Sequence, residues 1–152
     1  MIKIDVFVED KNWKKRLSNP VKYLNKKSLG LKNSIKLSKN KKYNFSVVLS
    51  GNKEIRDLNK KFRKKNKTTD VLSFPFYESK ILKKIKRKNI YLGDIILNYY
   101  KINKRNFEYD FDRLWIHGFL HLLGYKHDKD TDFYKMNKFE KLILTKINFN
   151  KC

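Results

Sequence analysis

The sequence is short of several residue types, and each shortage excludes a class of protein. It has one cysteine, Cys152, at its last position, so no disulfide can form within the chain, which is typical of a reducing compartment. No apolar run approaches the roughly 18 residues that cross a bilayer, and the first residues lack the apolar stretch of a signal peptide. We therefore expect a cytoplasmic protein with no membrane segment.

Acidic residues are also few: 15 Asp and Glu stand against 38 Lys and Arg, giving a formal net charge of +23. Such a charge attracts polyanions, and nucleic acid is the commonest cellular polyanion. The chain also has no alanine or glutamine and many lysines, asparagines and isoleucines, a bias that AT-rich coding produces as well. The charge is thus compatible with RNA as a partner but does not establish it.

The hydrophobic pattern predicts the fold class. Alternating or short apolar runs predict strands at 2–8, 45–49, 71–74 and 90–97. Apolar residues at helical spacing predict helices at 10–24 (interrupted at Pro20), after a cap at Ser50, and at 98–107, 112–123 and 131–147. Strands come mainly early and helices late, without a repeat or a change in composition. We expect a single α+β domain over residues 1–152, with a small mixed sheet packed with helices.

All three histidines of the chain, His117, His121 and His127, fall within eleven residues. His117 and His121 are four positions apart on a predicted helix, so their rings project from the same face. Gly124 follows, and a glycine can adopt a positive φ, end the helix and reverse the chain. The reversal would bring His127 towards the first two rings.

This spacing predicts a catalytic zinc site. Three neutral imidazoles leave the fourth tetrahedral position of Zn²⁺ for water, whereas structural zinc usually has four protein ligands, including thiolates. A lone histidine on an apolar helix is more often a core residue. Two imidazoles on a helix that is apolar on nearly every side, however, need polar partners or a metal. We predict one zinc ion held by His117, His121 and His127 at the helix end and the following turn.

The same spacing occurs in metzincin peptidases, which carry a glutamate directly after the first histidine as their general base. Gly118 occupies that position here. A peptidase of this type would lack its base, so a metallopeptidase-like hydrolase is the weakest alternative.

Three ordered segments carry a wider pattern. They are HGFLHLLGYKH at 117–127, LNKKFR at 58–63 followed by TDVLSFP at 69–75, and the weaker LGDII at 92–96. Together they resemble the YbeY family of bacterial endoribonucleases from about residue 45 to 145. The resemblance implies a zinc ion bound by the three histidines in a basic cleft. It also implies a single-strand-specific endoribonuclease, active in maturation of the 3′ end of small-subunit ribosomal RNA and in ribosome quality control.

The resemblance places the functional arginine of the family at Arg63. A planar guanidinium that donates two hydrogen bonds suits the charge that develops on a phosphate during its hydrolysis. The lysines of the same segment, at 60, 61, 64, 65 and 67, would line an approach for the RNA backbone. Asp70 and Ser73 are expected to hold the turn and strand beneath the cleft.

Two positions depart from the family pattern. Lys126 stands before the third histidine, where the family usually has aspartate, and Asn66 stands where an acidic residue is common. A carboxylate that orients a ligand imidazole is therefore lost or supplied from elsewhere. Besides the nuclease, a non-catalytic ribosome-assembly factor stays open, in which zinc and positive charge only dock RNA.

Overall fold

The computed structural model describes residues 1–35 and 37–149, with the side chains at 33 and 149 left out, so the expectation for Cys152 lies outside the described residues. The strands are β1 (Ile2–Val8), β2 (Lys42–Ser50), β3 (Val71–Pro75) and β4 (Asn89–Asn98). The helices are α1 (Pro20–Ser28), α2 (Asn52–Arg63), α3 (Ser79–Leu82), α4 (Phe107–Leu122) and α5 (Asp130–Phe149). Within those ranges, no helix combines the length and apolarity needed to cross a membrane.

The four strands form one sheet in the order β1-β2-β4-β3. β1 and β2 are parallel, β2 and β4 are parallel, and β3 runs antiparallel to β4 at the edge. The predicted α+β fold with a small mixed sheet is confirmed. The pairing of β3 with β4 determines which helices lie near the site. α2 precedes β3 in the chain and α4 follows β4, so the pairing brings the end of α2 close to α4.

The helices lie on both faces of the sheet. α1 and α4 pack on one face, and α5 packs on the outside of α4. A main core between these layers contains fully buried aromatic rings such as Trp13, Phe45 and Phe119. α2 covers part of the other face through a smaller cluster of Ile55, Leu72 and Ile96. Because α4 is enclosed by the sheet and α5, it is apolar on nearly all sides.

Two local predictions were wrong. The helix expected at 98–107 is two short 3-10 turns, Tyr99–Lys101 and Lys104–Asn106. Each turn is capped by the side chain of a preceding asparagine, Asn98 or Asn103, and such side chains compete with helical hydrogen bonding. Ser50 does not cap α2; it ends β2, and Gly51 occupies the cap position without a side-chain hydrogen bond.

Candidate metal centre

The predicted glycine reversal follows α4 directly. The helix ends at Leu122, and Gly124 has a φ of +97°. The Gly124 N–H donates to the His121 carbonyl at 3.0 Å. A Cβ at residue 124 would lie 2.4 Å from the Cβ of Ser79, so both the backbone angle and the available space require glycine here.

The turn brings the three imidazoles together. One ligand nitrogen from each of His117, His121 and His127 lies within 4.8 Å of the others. The ring centre of His121 is 4.6 Å from that of His117 and 4.9 Å from that of His127. The Nε2 atoms of His117 and His121 are 3.1 Å apart. The cluster could hold a metal ion; that these residues are its ligands stays a prediction.

The outer nitrogens of two of these rings are hydrogen-bonded. Nδ1 of His121 donates to the main-chain carbonyl of Tyr125 at 2.8 Å. Nδ1 of His117 contacts the carboxylate of Glu140, on α5. When Nδ1 carries the proton, the lone pair is on Nε2, and these two Nε2 atoms face each other. The arrangement fits a divalent cation between the rings. Glu140 was not predicted from the sequence.

The protonation state of His121 also favours metal binding. Burial is the main cause that lowers the pKa of His121 to about 4, and electrostatic interaction with the neighbouring His117, His127 and Arg63 lowers it further. The imidazole is therefore neutral at pH 7 and its lone pair is available to a cation. Zn²⁺ readily accepts such nitrogen donors.

The cluster opens into a cavity of about 420 Å³ that also contains Arg63. Arg63 is the last residue of α2, and its Nη2 donates to the Ser73 carbonyl on β3 at 3.2 Å. The cavity lining comprises Arg63, Thr69, Asp70, Val71, Ser73, His117, His121, Lys126, His127 and Asp128. All four residues that the sequence analysis assigned to the site are thus in one cavity.

Lys126, where the family pattern has an acid, is exposed at the rim of this cavity. It also lines a neighbouring cavity of about 410 Å³, together with Lys83 and Lys135. Lys60, Lys61 and Lys64 are exposed beside Arg63 at the end of α2. Positive side chains therefore surround the rim, while Asp70 and Asp128 are the acidic residues of the cavity lining.

Gly118 lies at a close approach of α4 to the sheet. A Cβ at this position would lie 2.7 Å from Cγ2 of Ile95 and 3.0 Å from Oγ of Ser73. The residue after the first histidine therefore packs against β3 and β4. A glutamate here would have to displace the side chains of Ile95 and Ser73, which counts against the peptidase alternative.

We expect Gly118→Ala to lower the free energy of unfolding by about 1 kcal/mol. Overpacking costs about 1–3 kcal/mol, which outweighs the gain of about 1 kcal/mol that alanine brings to a helix. Urea denaturation measures the change. The exposed pair Lys138→Gly and Lys138→Ala on α5 calibrates the helix term. A more stable Gly118→Ala protein would show that the contact with β4 is loose.

Comparison with known proteins agrees with this geometry. A family model described as Endoribonuclease YbeY matches residues 7–148. The chain belongs to the YbeY family. An Endoribonuclease YbeY of Pelagibacter ubique is 45% identical over 149 residues, which cover 94% of each chain. One from Wolbachia is 32% identical and covers 98% of both chains.

A solved structure has a similar fold over nearly the whole chain. It is the solution structure of TM1509 from Thermotoga maritima, 28% identical to this chain, with a TM-score of 0.53. The match covers 99% of this chain and 94% of that one. The family model and the two relatives confirm the resemblance to the YbeY family that the three sequence segments indicated.

Proposed function

We propose that this chain is a zinc-dependent endoribonuclease that hydrolyses single-stranded RNA in the cavity formed by His117, His121, His127 and Arg63. One observation carries the proposal: three imidazole side chains converge in a cavity that also contains a guanidinium. The relatives from Pelagibacter ubique and Wolbachia are endoribonucleases by name, which supports RNA as the substrate class.

The three imidazoles would hold one zinc ion. Their all-nitrogen donor set and the cavity beside them are typical of catalytic rather than structural zinc sites. When bound, zinc would lower the pKa of water to about 7 and polarise a phosphoryl oxygen. The fold contributes the arrangement of the ligands, since the last turn of α4 and the Gly124 reversal bring them together.

The basic residues would bind the RNA. Arg63 would contact the phosphate that is cleaved and stabilise the charge that develops on it. Lys126 and the lysines at the end of α2 would attract the neighbouring phosphates, so binding should weaken as salt concentration rises. This division gives Arg63 a chemical role and the lysines an electrostatic one.

We also propose, from the family resemblance, that the RNA is ribosomal. The chain would act in maturation of the 3′ end of small-subunit ribosomal RNA and in ribosome quality control, in the cytoplasm and as a single domain. The continuous sheet, with helices on both faces, supports one domain.

A comparison of substrates tests the activity. The purified, zinc-loaded protein is incubated with an unstructured RNA, the DNA of the same sequence and an unstructured peptide. We expect the RNA alone to be cut, cleavage to stop with a chelator, and zinc to restore it. RNA binding without cleavage would support the assembly factor instead. Peptide cleavage would support the peptidase, and cutting that ignores the chelator would contradict a metal-dependent reaction.

A further inference from the structure

We propose that Glu140 is a positioning residue of the metal centre: its carboxylate accepts a hydrogen bond from the Nδ1–H of His117 and so holds the Nε2 lone pair of that ring towards the ion. The inference rests on the metal site of the proposed function and extends it to a second helix.

The place of Glu140 in α5 shows that its carboxylate faces inward. Met136, Ile143 and Leu144, which are four residues before and three and four residues after it, are all buried. The Glu140 side chain itself is only 13% exposed. A carboxylate on the buried face of a helix is costly unless it is paired, and the imidazole of His117 is its partner. The packing of α5 on α4 therefore brings a charge to the back of a predicted ligand.

The two rings on α4 are held in different ways. His121 donates to a main-chain carbonyl, which is neutral and present whatever the side chain at residue 125. His117 depends on an acidic side chain, and a carboxylate in this place makes a ligand imidazole a stronger donor to a metal. Since Arg63, Lys126 and a divalent ion would share one cavity, this negative charge favours metal retention.

Two substitutions separate the charge from the hydrogen bond. In Glu140→Gln the amide oxygen still accepts from Nδ1 but the charge is lost, and in Glu140→Leu both are lost. Glu54→Gln, at an exposed glutamate in the first turn of α2, is the matched control. Zinc affinity is measured by competition with a chromophoric chelator. The visible spectrum of the cobalt-substituted protein reports the ligand field, and thermal unfolding of the metal-free protein reports the fold.

We expect zinc affinity to fall about 10-fold in Glu140→Gln and about 100-fold in Glu140→Leu, with a shifted cobalt spectrum and no change in the control. The thermal midpoint of metal-free Glu140→Gln should stay close to that of the unaltered protein, because the amide oxygen still accepts from Nδ1 of His117. Metal-free Glu140→Leu leaves that N–H without its partner, so its midpoint should fall. Equal zinc affinity in all four proteins would overturn the role of Glu140 and leave the proposed nuclease intact. A lower metal-free midpoint with unchanged affinity would make Glu140 structural only. Failure of the unaltered protein to bind zinc would overturn both proposals.

Discussion

His121→Ala should abolish zinc binding and lower kcat/KM for RNA cleavage at least about 10³-fold, because a bound metal provides several kcal/mol of transition-state stabilisation. His121 is the central ring of the cluster, close to both of the others. Removing it leaves two donors, too few for a tight site. Zinc content by atomic emission and single-turnover cleavage of a labelled RNA are the measurements.

The fold should survive this substitution, since alanine is the best helix former and His121 is only partly buried. Circular dichroism of the variant checks the helix content. Arg113→Ala, also on α4 but outside the cavity lining, is the control and should retain both zinc and activity. If folded His121→Ala cleaves RNA at the normal rate, the histidine cluster is not the catalytic centre.

Arg63→Glu should lower kcat about 10³-fold while zinc content stays full. Removing one group that stabilises developing charge costs about 10²–10³-fold, and reversing its sign adds repulsion of the phosphate. Arg63→Lys should lose less, because lysine keeps the charge but lacks the planar, two-pronged donor. Single-turnover kinetics at saturating protein isolates the cleavage step from RNA binding.

Arg56→Glu makes the same change in charge on the same helix and is the matched control. Arg56 is exposed in a different cavity, lined also by Asn52 and Thr68. It should weaken RNA binding slightly and leave the cleavage step unchanged. Equal loss in both variants would mean that Arg63 acts only through the general positive charge. Loss of zinc in Arg63→Glu would place Arg63 in the support of the histidines rather than at the phosphate.

The histidine cluster could be predicted from the sequence because it is local. Four-residue spacing on a helix fixes the relation of His117 to His121, and the backbone freedom of Gly124 allows the return of His127. Arg63 came from the family resemblance alone. Residues 58–63 do not by themselves predict that the end of α2 contacts β3 beside α4, because that contact depends on the order of the strands in the sheet.

Glu140 was missed because its contact with His117 joins two helices. The sequence did contain a signal: residues 136, 140, 143, 144 and 147 form one face of a helix, and residue 140 is the charged member of an apolar set. An acid in such a position needs a partner, and a predicted metal ligand is a suitable one. The close approach of Gly118 to Ile95 had no such signal, because it depends on the distance between α4 and the sheet.

The carbonyl of Tyr125 differs from every side-chain contact in the site in how it responds to mutation. Any residue that preserves the turn supplies the same oxygen, so the orientation of His121 withstands drift at residue 125. The contact that orients His117 depends on one side chain, because a single substitution at residue 140 removes it. We therefore expect substitutions to be tolerated better at residue 125 than at residue 140, which lies on α5, a helix that carries none of the histidines.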